Sequence, residues 1–134
     1  MYTPIRWQQR FQNFERALLL LRESLEVKKK LSQLEKEGII QRFEYTFELA
    51  WKTLSDYLKD QGIKLTENTP KTIIKTAFKA NIIKQGEKWI AMLTNRNAMS
   101  HQYNFSAFEN VINDLKKSHF KALDEFYLYL KEKF

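Results

Sequence analysis

Residues 7–25, WQQRFQNFERALLLLRESL, set Trp7, Phe11, Phe14, Leu18, Leu21 and Leu25 at alternating spacings of four and three. That period marks one face of an α-helix packed lengthwise against others; a strand would repeat every second residue. Leu19 and Leu20 widen the stripe and predict burial on a second side, in a bundle centre or at a subunit contact. Thr3 as N-cap and Pro4 at the first helical position predict the start. Lys28, Lys29 and Lys30 predict the end, where cations suit the negative pole of a helix.

The rest of the chain repeats this pattern. Ser32 and Glu35 have capping-box spacing, so a second helix starts there, with Ile40, Phe43, Phe47, Ala50, Trp51, Leu54 and Leu58 on its apolar face. Gly38 is a candidate kink or restart, and Gly62 a candidate stop. Glu44, Glu48, Lys52 and Asp56 form an i, i+4 row on the opposite face, in which Glu48 and Lys52 are favourably oriented. With no histidine at ligand spacing, the row reads as a solvated or interface face before a metal or acid–base site. Thr69-Pro70 opens a third, shorter helix holding Ile73, Ile74, Ala77 and Phe78. Lys71, Lys75 and Lys79 repeat along it, either tracking phosphates or simply facing water. Residues 81–86 form a turn, and Glu87 opens a fourth helix with Trp89, Ile90 and Leu93. Ser106 and Glu109 repeat the capping box ahead of a long last helix carrying Phe108, Val111, Ile112, Leu115, Leu123, Phe126 and Leu130. The expected fold is therefore all-α: an antiparallel helical bundle of three long and two short helices, of the up-and-down four-helix type, in one domain spanning residues 1–134.

Composition narrows the chemistry. Hydrophobic residues make up 43% and aromatic residues 14% of 134 positions, enough for a packed core. The absence of cysteine excludes thiolate metal sites and a cysteine nucleophile. Two distant histidines make no familiar zinc site. No GxxxxGK(S/T) or GxGxxG loop offers a nucleotide-phosphate cradle, so no cofactor is expected. The N-terminus lacks a signal peptide's apolar core and no apolar run reaches membrane-spanning length, which predicts a cytoplasmic chain without membrane contact. Twenty-three Lys and Arg against 16 Asp and Glu give a net charge of +7. This bias suits nucleic acid, nucleotides or an acidic protein surface, or serves solubility alone.

One octet combines reactive side chains: Arg96-Asn97-Ala98-Met99-Ser100-His101-Gln102-Tyr103. Arg supplies a planar fork of donors for phosphate, and His titrates near neutrality. His101 could take the proton from a ribose 2′-OH or protonate a leaving oxygen, while Arg96 neutralises charge on phosphorus-bound oxygens. Asn97 adds a neutral donor and acceptor, and Tyr103 a phenol. Five residues apart on one helix, Arg96 and His101 would diverge by roughly 140°. They converge if the helix ends before His101, or if a two-fold partner brings a second copy into the same cleft. The competing reading is a helix cap and a satisfied surface pair. His119, between Leu115 and Leu123, reads as a partly buried structural residue. Ser100 beside His101 is too close in sequence for a Ser–His relay.

Three segments carry a family likeness: Gly38 to Lys52 (GIIQRFEYTFELAWK), Trp89 to Asn97 (WIAMLTNRN), and Ser100 to Tyr103 (SHQY). In these the chain resembles the HEPN superfamily, specifically the HepT-like proteins called nucleotidyltransferase substrate-binding proteins, over effectively its full length. The resemblance implies a helical bundle that forms a homodimer with two motifs facing one cleft, and a minimal nucleotidyltransferase as partner subunit. It further implies either a nucleotide- or RNA-binding role in a toxin–antitoxin-type pair or a metal-independent endoribonuclease. In that family's terms Arg96 and His101 are the catalytic pair, Asn97 the polar residue after the arginine, and Tyr103 the residue the transferase adenylylates. Whether the chain is itself an enzyme stays open at the level of sequence.

Overall fold

The computed structural model describes residues 6–101 and 104–134, without the side chain of His101. Helix α1 spans Arg6–Leu25, α2 Gln33–Asp60, α3 Pro70–Lys79 and α4 Gly86–His101. Helix α5, Phe105–Asp114, passes through a π-helical turn at Leu115–His119 into α6, Phe120–Lys133. Counted as one continuous element, α5 to α6 completes three long and two short helices. No strand occurs among the described residues, and the all-α bundle is as the sequence predicts.

Side-chain pairs give the directions. Trp7 packs on Tyr57 while Arg42 bonds the Leu20 carbonyl, so α1 and α2 are antiparallel. Trp89 meets Phe126 and Asn95 meets His119, so α4 runs antiparallel to the last helix. Helices α1, α2, α4 and α5–α6 thus form an up-and-down four-helix bundle, with α3 lying in the α2–α4 connection against both. The predicted stripe is the core: Trp7, Phe11, Phe14, Leu18 and Leu21 are all buried, against Phe43, Phe47, Leu54, Trp89, Phe126 and Leu130.

Local signals hold at three helix ends. The Ser32 side chain accepts from the Glu35 amide and the Glu35 carboxylate accepts from the Ser32 amide, the reciprocal capping box. Thr69 caps α3 ahead of Pro70. Gly62, at φ +77°, sits just past α2, where its amide bonds Lys59 and the Ile63 amide bonds Leu58, a Schellman ending. Asn81, at φ 61°, closes α3 in the same way through Ile82 and Ala77.

Three expectations are corrected, and for Leu19 and Leu20 the bundle-centre alternative is removed. Helix α1 ends at Leu25, so Lys28, Lys29 and Lys30 lie in the connection; with Glu26 already outside the helix, the three charges are too far away to end it. Leu19 and Leu20 are 51% and 46% exposed, so the stripe's second side is not covered within the chain. Helix α2 continues without interruption through Gly38. The last helix starts at Phe105 with Asn104 as its cap, because the Asn104 side chain accepts from the Ser106 amide two residues ahead of the expected cap. The predicted Thr3 cap and Pro4 lie outside the described residues.

Candidate functional site

Helix α4 presents Arg96 toward α2. Its side chain is 25% exposed, and its guanidinium forms a hydrogen-bonded ion pair with the Glu48 carboxylate, which Lys52 Nζ also approaches at 3.3 Å. The other arm of Arg96 donates to the Asn97 side-chain carbonyl at 3.0 Å. Arg96 is therefore already aimed by two acceptors, and half of its fork is occupied by a neutral group that an anionic ligand can displace. The Ser100 hydroxyl donates to the Arg96 carbonyl within the helix.

Two carboxylates one turn apart on α2 feel this guanidinium oppositely. For Glu48, burial pushes the pKa up, but hydrogen bonds from Arg96 and Lys52 and the charge of Arg96 outweigh it, leaving the group below the ordinary carboxylate value. For Glu44, burial dominates over the charge of Arg96 and the pKa is raised. A charged acceptor and a carboxyl group that keeps its proton more readily therefore stand side by side. Glu44 also lines a depression of about 370 Å³ with Ile40, Gln41, Met99 and Phe108, next to the end of α4. Among the described residues no three His, Asp or Glu side chains gather as a metal-holding set.

On the far side of Arg96, Asn95 turns inward. Its amide Nδ2 donates to His119 Nε2 at 2.8 Å and lies 3.4 Å from the Asp114 carboxylate. His119 is 3% exposed and stacks on Phe43 with ring centroids 6.3 Å apart. The π turn brings it there: the Phe120 amide bonds the Leu115 carbonyl five residues back. The structural role expected for His119 is what the geometry gives, although the ring is fully rather than partly buried.

The model for the family described as nucleotidyltransferase substrate binding protein like matches residues 9–132. The chain belongs to this family. A crystal structure of a Thermus thermophilus protein is similar at 27% identity, with a TM-score of 0.75, over 84% of this chain and 94% of that one. No curated protein matches.

Measured against the motif that suggested the family, the structure places Arg96 and Asn97 together. The backbone of α4 runs to His101 as its last residue, so the helix does not end before it. Backbone position alone sets His101 roughly 140° round the helix from Arg96. Its side chain and Tyr103 lie outside the described residues. The row Glu44, Glu48, Lys52 and Asp56 is not a solvated face: Glu48 holds Arg96, and Asp56, 6% exposed at its side chain, pairs with Arg10 at 3.4 Å. Sequence reasoning missed the Arg96–Glu48 and Asn95–His119 pairs. The acidic row was the one available signal for the first, and nothing local announced the second. No helix among the described residues is long and apolar enough to cross a membrane.

Proposed function

We propose that this chain is the nucleotide- or nucleic-acid-binding partner subunit of a two-component minimal nucleotidyltransferase system of toxin–antitoxin type, working as a cytoplasmic homodimer. The family match across residues 9–132 carries the reading. The +7 net charge and the pre-aimed Arg96 support an anionic ligand, and the uncovered Leu19 and Leu20 support a protein contact. Titration of the chain with its nucleotidyltransferase by calorimetry tests the partnership. Saturable heat at a fixed stoichiometry is the expected result, and its absence refutes it.

The second reading is a metal-independent endoribonuclease, favoured by the position of Arg96 among Asn97, Glu48 and Glu44. In that reaction the ribose 2′ oxygen bonds to phosphorus as its proton passes to a neutral His101, and the P–O5′ bond breaks as the departing oxygen gains a proton. The products are a 2′,3′-cyclic phosphate and a 5′-hydroxyl. Arg96 balances the charge on the non-bridging oxygens. With Arg96 and His101 five residues apart on one helix, a second copy related by a two-fold axis would supply the matching group to each cleft. Adenylylation of Tyr103 by the transferase, with pyrophosphate leaving ATP, would silence this activity. Incubation with RNA in EDTA, beside Arg96→Ala and His101→Ala, tests cleavage. RNA left equally intact by all three removes the enzyme reading. Intact mass after mixing with the transferase and ATP tests Tyr103. Sedimentation as a monomer at micromolar concentration would remove the shared cleft.

A further inference from the structure

The segment from Lys64 to Lys88 holds six lysines and two glutamates, more than half of the chain's net charge of +7. On α3 the buried residues are Ile73, Ile74 and Ala77, which leaves Lys71, Lys75, Phe78 and Lys79 exposed on the other side. No salt bridge among the described residues engages Lys71, Lys75, Lys79 or Lys84. Successive lysines of the row rise about 6 Å along the helix axis, close to the separation of phosphates in an extended strand. Phe78, 48% exposed, stands within the row. Its ring rests on the first residue of α4: a Cβ on Gly86 would lie 3.0 Å from Phe78 Cγ and Cδ1. The ring is thus set against backbone on one side while about half of the residue stays open to solvent.

We infer that this face of α3 binds single-stranded nucleic acid, with Lys71, Lys75 and Lys79 on the phosphates and Phe78 as a stacking platform for a base. A fixed aromatic among unpaired cations matches a strand's alternation of charge and π-face. An acidic protein surface would use the lysines but not the ring. The start of α3 is also tied to the helix that holds Glu48. Glu48, Lys52 and Ser55 follow one side of α2, and the Ser55 hydroxyl donates to Asn68 at 2.6 Å, just before α3 begins. Two helical turns, about 10 Å, separate Glu48 from Ser55 along the axis, and Ser55 is buried, so it ties α3 to α2 from inside. The inference rests on the nucleic-acid side of the function proposed above and adds a second, separable surface.

Fluorescence anisotropy of a labelled single-stranded RNA of mixed sequence, and of the same sequence as a duplex, tests it across a salt series. The variants are Lys71→Gln/Lys75→Gln/Lys79→Gln, Phe78→Ala, Phe78→Tyr and Arg96→Ala, each checked by circular dichroism. The wild type should prefer the single strand. The lysine variant should weaken binding and flatten the slope of log affinity against log salt by about 2, near 0.7 for each lost phosphate contact. Phe78→Ala should weaken it by about 5- to 100-fold, while Phe78→Tyr, which keeps the ring, binds as wild type. The losses caused by the α3 variants should appear equally in the Arg96→Ala background. Failure of the wild type to bind, or wild-type binding by the lysine and Phe78→Ala variants, overturns the inference. Loss confined to Arg96→Ala leaves the octet site standing and removes the α3 surface. Loss of transferase binding but not of RNA binding in the lysine variant assigns the face to an acidic protein and likewise overturns the inference.

Discussion

The Asn95 side-chain amide donates to Nε2 of His119 at 2.8 Å, joining the residue before Arg96 to the π turn of the last helix. An amide N–H can only donate, so Nε2 accepts and the neutral ring carries its proton on Nδ1. That nitrogen is buried without a partner. The arrangement suits a neutral imidazole and ties the helix that displays Arg96 to the core.

This buried ring makes stability depend on pH. Burial lowers the His119 pKa, with Asp114 raising it and Lys88 lowering it in smaller measure. The unfolded chain binds the proton near 6.5, the folded chain only at lower pH, so stability is complete above about 6.5 and falls as pH drops below it. Glu44, whose pKa burial raises, acts in the opposite sense but in the carboxylate range. Thermal melts should therefore show a Tm declining between about pH 7 and pH 5. His119→Gln should flatten that decline, and an unchanged slope in the variant would locate the pH dependence elsewhere.

Glu48 competes with any anion for Arg96. Glu48→Gln should cost only about 0.5–1 kcal/mol in chemical denaturation, since both side chains are part-exposed. The same variant should bind inorganic phosphate or a nucleotide more tightly by calorimetry, because a carboxylate no longer occupies the guanidinium. Weaker binding would make Glu48 an aid to the ligand instead of its rival.

Arg10 and Asp56 tie α1 to α2. The Asp56 side chain is 6% exposed and its Oδ2 lies 3.4 Å from Arg10 Nε, with no hydrogen bond to that oxygen. Arg10→Ala leaves a buried carboxylate uncompensated and should destabilise by about 2–3 kcal/mol, discounted for the part-exposed arginine. The double variant with Asp56→Leu should recover most of that loss. A double-mutant cycle in urea measures the coupling, and additive losses would show the pair to be independent.

Gly62 and Asn81 offer a matched test of left-handed helix ends. Gly62→Ala at φ +77° should cost about 1 kcal/mol. Asn81→Gly at φ 61° should be neutral or slightly stabilising. Melting curves of the two variants should move in these unequal ways.

The helices were legible because their determinants are local. Stripe residues such as Phe11 and Leu18, the Ser32 box, the Thr69-Pro70 start and the Gly62 stop all act within two turns of chain. Capping-box spacing pointed to Ser106, whereas the cap is made by Asn104 two residues earlier, a residue type that caps as well without needing the box. The π turn has no counterpart in the apolar spacing. Arg96 was legible as chemistry, but its partner Glu48 lies 48 residues away. An i, i+4 row reports which residues share a face, not which neighbour that face meets. The exposed Leu19 and Leu20 show the same gap from the other direction, since periodicity predicts burial without naming what does the burying.

The π turn at Leu115–His119 means that the last helix holds one residue more than an unbroken α-helix of its span would accommodate. An extra residue advances everything after it by about 100°, so the two halves of that helix are out of phase with each other. Removing one residue between Leu115 and His119 would return the ladder to regular bonding of each amide to the carbonyl four residues back. It would also rotate His119 away from Asn95. The cost of tidying the backbone would then fall on the residue next to Arg96.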